Sequence, residues 1–146
     1  MKKVFVSGTY DLLHAGHIQF FKEAKALGDY LVVSFCSNAN LLKYKGRHSC
    51  MPDDNKKVLL ESIRYIDKVI IGNDDGGVFD FVEAFIDEEP DILVVTTDDT
   101  HAEEKRKFCQ DYAVKFVVLP KTLPEATPVS SFGIIKNIIE QGIIVK

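Results

Sequence analysis

Two histidines stand three residues apart in Gly8-Thr9-Tyr10-Asp11-Leu12-Leu13-His14-Ala15-Gly16-His17, a stretch that joins a short apolar run, Val4-Phe5-Val6, to a helical pattern. On its own, a pair at this spacing is most often a surface pair on one helical turn. Here it falls at a helix start, which presents free backbone N–H groups and a partial positive charge, so two imidazoles placed there extend a site suited to phosphate. Gly8 permits a tight backbone turn and Thr9 adds a hydroxyl. The combination of strand, glycine, hydroxyl and paired imidazoles around Gly16 carries the phosphate reading, where His-x-x-His alone would not. Zinc is disfavoured, because it would want a third protein ligand and Cys36, Cys50 and Cys109 form no close-spaced pair.

The elements that must position these groups follow from periodicity. Val4–Val6, Tyr30–Phe35, Lys68–Ile71, Ile92–Val95 and Lys115–Leu119 read as five strands. Amphipathic segments fall between them: 15–27 with Ile18, Phe21 and Ala24 inward, 55–65 with Val58, Leu59 and Ile63, and 77–88 with Val78, Val82, Phe85 and Ile86. A weaker segment covers 101–113 and a last one 130–141. This alternation predicts an α/β fold, a single Rossmann-like domain over residues 1–146 with a five-stranded parallel sheet, helices on both faces and right-handed crossovers. Ligands of such sheets bind beyond the carboxyl ends of the strands, where the first strand delivers the histidine stretch.

Composition narrows the function classes. The chain has 146 residues, 46% of them hydrophobic, and a net charge of −4 from 18 basic and 22 acidic groups. That suits one globular domain with a real core. It argues against general nucleic-acid affinity, which needs a basic stripe to displace counterions. The apolar stretch at the N-terminus is too short for a signal peptide, and no run approaches about 18 apolar residues, so a soluble, cytoplasmic protein with no membrane partner is expected. The odd number of cysteines, 3, fits a reducing compartment.

The Gly8–His17 stretch, with the block through Leu31-Val32-Val33, closely resembles the signature of the nucleotidylyltransferase superfamily, and within it the glycerol-3-phosphate cytidylyltransferase branch. The resemblance implies transfer of a nucleotidyl group from a nucleoside triphosphate, preferably CTP, to a small phosphorylated alcohol or sugar, with release of pyrophosphate. The attacking group is then already an anionic phosphate oxygen. No general base is needed, only in-line positioning and cancellation of charge as the α-phosphate becomes five-coordinate. By the same resemblance His14 and His17 contact the nucleotide phosphates, Gly8, Thr9 and Tyr10 line the nucleotide, and Asp11 belongs to the acceptor side. Mg²⁺ would ride on the triphosphate, with no protein side chain as metal ligand.

Further stretches extend the likeness. Asn40–Arg47 is a basic run in a predicted loop, where the family carries lysines that reach phosphates; this implies substrate roles for Lys43, Lys45 and Arg47, with Lys45 also catalytic. Leu59–Asp67 resembles the family's helix bearing an arginine for the acceptor phosphate, which places Arg64 there as a catalytic and substrate-binding group. Asp91–Asp99 resembles a strand ending in a glycine and paired aspartates beside the base, so Asp98 and Asp99 take that role, although Thr97 replaces the glycine and such aspartates also serve as turn or cap residues. The tail departs most. Lys121 stands where the branch has arginine, a longer proline-containing loop follows, and Phe132 replaces a hydroxyl residue. Ser130, with Ser131, still reads as the cap of a helix start able to hold a β- or γ-phosphate. Asn55-Lys56 stands where the branch has a polar residue followed by arginine. The resemblance also implies a homodimer. Two other readings stay open, an ATP-using adenylyltransferase of the same superfamily and a catalytically weak nucleotide-binding module.

Overall fold

A computed structural model describes residues 1–142. Strands β1 (Lys3–Gly8), β2 (Tyr30–Phe35), β3 (Lys68–Ile71), β4 (Ile92–Thr96) and β5 (Lys115–Leu119) form one parallel sheet in the order β3-β2-β1-β4-β5. The chain builds outward from β1 through β2 to β3, then crosses back to lay β4 on the other side of β1. That reversal opens a crevice beyond the carboxyl ends of β1 and β4. The helices are α1 (Ala15–Lys25), α2 (Asn38–Lys45), α3 (Asp53–Glu61), α4 (Val82–Glu88), α5 (Ala102–Asp111) and α6 (Ser131–Glu140).

Successive strand residues point to opposite faces, and both faces are covered, so the strands read as nearly continuous apolar runs. On one face Val4, Val6, Leu31, Val33, Val69, Ile92 and Val94 pack with Phe21 and Ala24 of α1 and Leu60 of α3. On the other, Phe5, Val32, Leu93 and Val95 pack with Phe81, Ala84 and Phe85 around α4 and with Cys109 of α5. Among the described residues no helix is long and apolar enough to cross a membrane.

Three segments differ from the sequence reading. Residues 40–45 of the basic run are not a loop but most of α2, which Ser37 starts by accepting the Asn40 N–H at 3.1 Å and Gly46 stops in the left-handed region at φ 68°, leaving Arg47 in the loop that follows. In α3 the residues facing in are Lys56 and Leu60, while Val58 and Leu59 are exposed. The helix begins at Asp53, earlier than periodicity placed it, with Asp53 and Asp54 complementing its positive end. The segment 77–88 splits into a single 3₁₀ turn, Gly77–Phe79, and α4, because Gly76 and Gly77 hold positive φ before it; Ile86 is exposed.

Candidate active site

Between β1 and α1 the chain turns at Tyr10, whose φ of 50° makes it the left-handed residue of the loop. Gly8 does not supply that turn, contrary to the sequence reading. A Cβ on Gly8 would lie 2.6 Å from Tyr10 Cζ, so its missing side chain makes room for the Tyr10 ring. That ring is buried against Phe21 at 5.1 Å and edge-on to His17 at 5.8 Å between centroids. Burial pushes its phenol well above the ordinary pKa, so Tyr10 enters the site as a neutral ring.

The two histidines form a reciprocal cap on α1. His14 Nδ1 accepts the Gly16 N–H at 3.1 Å, and His17 Nδ1 accepts the His14 N–H at 3.2 Å. Both Nδ1 atoms are therefore acceptors, and in the neutral rings the proton sits on Nε2. The ring centroids are 4.1 Å apart. A Cβ on Gly16 would come within 2.9 Å of His14 Cε1, which explains the glycine between the imidazoles. Burial, then the neighbouring His14 and Lys121, lowers the His17 pKa to about 4; burial and Lys121 also lower that of His14. At neutral pH each ring is an uncharged cap with one N–H left to donate.

Both rings line a cleft of about 390 Å³ that is also bordered by Tyr10, Asp98, Lys121, Ser130 and Ser131. Lys121 Nζ donates to Asp98 at 3.1 Å, and the Thr96 hydroxyl also donates to Asp98. These two hydrogen bonds, Thr96 first, hold the Asp98 carboxyl below its usual range. Asp99 also borders the cleft, but its carboxylate accepts the His101 N–H at 2.7 Å and pairs with the buried Lys105 at 2.7 Å, serving the turn into α5. Ser130 Oγ caps α6 by accepting the Gly133 N–H at 2.9 Å. Ser131 Oγ donates to the Leu12 carbonyl at 3.1 Å, tying α6 to the histidine loop. Two helix N-termini thus open on the same cleft. Leu123, Pro124, Pro128 and Val129 of the longer loop form its apolar wall; Phe132 is 76% exposed and outside that lining.

The other expected groups are placed differently. Thr9 lies outside the cleft wall and offers its carbonyl to Lys56 at 3.1 Å. Asp11 accepts the Cys50 and Met51 N–H groups at 2.9 and 3.0 Å and faces Arg47 at 3.6 Å. Burial alone would raise its pKa, but those hydrogen bonds and the charge of Lys56 bring it below the ordinary value. Lys43 pairs with Asp75 at 2.6 Å, and Lys45 lies 5.7 Å from the Tyr44 ring centroid; both are exposed on α2, away from the cleft. Arg64 is also outside it. It precedes β3, at the amino end of the parallel sheet, whereas β1 delivers the histidines at its carboxyl end, and it stacks on Tyr65 at 5.0 Å with a 2.9 Å hydrogen bond to that hydroxyl. Sequence reasoning missed the buried Lys56. Its signal was a charged residue one turn before Leu60 on the inward face of α3.

Residues 5–137 match the family described as cytidylyltransferase-like. The chain is 36% identical over 104 residues to an FAD synthase of Ferroglobus placidus, a match covering 71% of this chain and 64% of that protein. It therefore spans less than two thirds of that relative's length. It is 41% identical over 99 residues to a glycerol-3-phosphate cytidylyltransferase of Staphylococcus aureus, covering 67% of this chain and 71% of the relative. Among solved structures, a lipopolysaccharide core biosynthesis protein from Thermoplasma volcanium shares the fold with a TM-score of 0.68 at 27% identity, over 82% of this chain and 96% of that one. With the sheet order, the histidine cap and the cleft already in place, these matches show that the chain belongs to the cytidylyltransferase-like family.

Proposed function

We propose that this protein is a nucleotidyltransferase that moves a nucleoside monophosphate unit from a nucleoside triphosphate, CTP in preference to ATP, onto a small phosphorylated alcohol or sugar. The observation that carries the reading is the reciprocal histidine cap, which leaves two neutral Nε2–H donors in a cleft shared with the α6 N-terminus and Lys121. An acceptor phosphate oxygen attacks the α-phosphorus, the bond to the bridging oxygen breaks, and pyrophosphate leaves with the electron pair. Nucleophile and leaving group are both anionic, so no proton has to move. The two imidazoles and Lys121 oppose the charge that builds on the phosphates. Because each Nδ1 accepts a backbone N–H, the two rings meet the triphosphate as neutral Nε2–H donors. Asp98 is paired with Lys121 and Asp99 with Lys105, and the other polar groups are mostly donors. That set fits magnesium carried on the triphosphate, where the ion would neutralise phosphate charge.

The base is the finer question. Asp98 suits an exocyclic amine, which cytosine and adenine both carry, and the similarity to an FAD synthase supports ATP as the second reading. Thermal stabilisation by CTP, ATP, GTP and UTP with magnesium tests it. A tenfold preference appears as roughly 1.4 kcal/mol at saturating ligand. The largest shift is expected with CTP; a larger one with ATP moves the assignment to adenylyl transfer. Pyrophosphate release with sn-glycerol 3-phosphate and with flavin mononucleotide then separates the acceptors, and stabilisation without release with any phosphorylated acceptor leaves a binding module. In this reading the protein works as a homodimer.

A further inference from the structure

Lys56 is completely buried, yet its ammonium reaches three different parts of the chain: the Thr9 carbonyl at 3.1 Å, the Cys36 carbonyl at 3.3 Å and Ser49 Oγ at 2.9 Å. Three acceptors match its three protons, as a buried ammonium requires. Those acceptors belong to the histidine loop, the end of β2 and the loop 46–52 that follows α2. A second set of contacts joins the same two loops, since Asp11 accepts the Cys50 and Met51 N–H groups and faces Arg47. Thr9 and Asp11 flank Tyr10, whose left-handed backbone aims the chain toward His14. The segment carrying Arg47 is thereby held in register with the histidines.

We propose that Lys56 is a positioning residue, whose ammonium, acting through the Thr9 carbonyl and the Ser49 hydroxyl, sets loop 46–52 against the histidine loop so that the acceptor's phosphate meets the nucleotide. This rests on the nucleotidyl-transfer reading. An apolar side chain at this position would fill the space without linking the loops, so the charge acts through what it connects. Lys56→Met is expected to raise the KM for the phosphorylated acceptor at least about tenfold while the KM for the triphosphate changes by less than about threefold. Lys56→Arg is expected to recover part of the loss, and Ser49→Ala to raise acceptor KM by a smaller factor with folding intact. Hydrogen exchange gives a readout independent of turnover. The Cys50 and Met51 amides are expected to lose protection in Lys56→Met and Ser49→Ala, while those of β1 and β2 keep theirs. Unchanged protection at Cys50 and Met51 overturns the proposal whatever the activity, as does an equal rise in both KM values. If the wild-type protein releases no pyrophosphate with any substrate pair, the functional reading fails instead, and the exchange comparison still decides whether Lys56 holds the loop. Should Lys56→Met not fold, Ser49→Ala and Lys56→Arg carry the same comparison.

Discussion

His14 both caps α1 and offers a donor to the cleft, and two substitutions separate the roles. His14→Ala removes the Nδ1 acceptor that holds the Gly16 N–H at 3.1 Å together with the Nε2 donor. Loss of an N-cap acceptor costs about 1 kcal/mol, a fall in Tm of about 2–4 °C in a chain of this length. Asparagine is among the strongest N-caps, and its side-chain oxygen can take over the Gly16 N–H. Its shorter amide does not reach where the imidazole Nε2 stands. His14→Asn is therefore expected to melt close to wild type while losing at least about a hundredfold in kcat/KM, or about 2.7 kcal/mol of transition-state stabilisation. Differential scanning fluorimetry gives the first quantity and a coupled pyrophosphate assay with the preferred triphosphate and acceptor gives the second. Turnover within about tenfold of wild type in His14→Asn would refute the donor assignment, since a missing transition-state donor cannot be that cheap. Equal melting temperatures for His14→Ala and His14→Asn would refute the capping argument.

The His17 imidazole, with a pKa lowered to about 4, stays neutral in the fold where an unfolded histidine takes up a proton, so its contribution is complete above about pH 6.5 and is lost as pH falls toward 4, by at most about 3 kcal/mol. Asp80, which burial raises to about 6, has the opposite slope, so the measurement is the difference between wild type and His17→Gln in urea unfolding at several pH values; parallel curves would sink the argument. Gly8→Ala places a methyl 2.6 Å from Tyr10 Cζ and is expected to cost about 1–3 kcal/mol, and an unchanged Tm would show that the ring moves freely. Sedimentation is expected to give a homodimer at assay concentrations, and a 16.4 kDa monomer would remove that part of the reading.

The central strands were readable because they are buried on both faces, so apolar residues dominate Tyr30–Phe35, broken only by Ser34, and run on without interruption in Ile92–Val95. Helix α1 was readable from Phe21 and Ala24, its two buried residues. Helix α2 was not. It buries only Asn40 and Leu41, so no apolar period marks it, and its ends are set by a serine cap and a left-handed glycine. In α3 the inward position one turn before Leu60 holds Lys56, which a reading based on hydrophobicity assigns to solvent, so Val58 and Leu59 were turned inward by mistake.

The same contrast divides the site. The half proposed for the nucleotide is local in sequence: the histidine cap lies within the turn from His14 to His17, and Ser130 with Ser131 starts the last helix, so residue type and spacing pointed to these caps. The half assigned to the acceptor depends on contacts between distant residues, Lys56 with Thr9 and Asp11 with Cys50 and Met51, which no local pattern records. Arg64 lies outside the cleft, and the order of the elements accounts for its place. In a parallel sheet the chain just before a strand lies at the sheet's amino end, and a residue preceding Lys68–Ile71 stands on the far side from groups that follow Lys3–Gly8. Resemblance implied a role for Arg64 at the acceptor phosphate, and the structure sets its guanidinium on Tyr65 at the amino end of the sheet. Of the basic groups expected on the acceptor side, Arg47 alone among the described contacts is tied to the histidine loop, through Asp11, so under the proposed function loop 46–52 is the feature whose geometry acceptor binding would depend on.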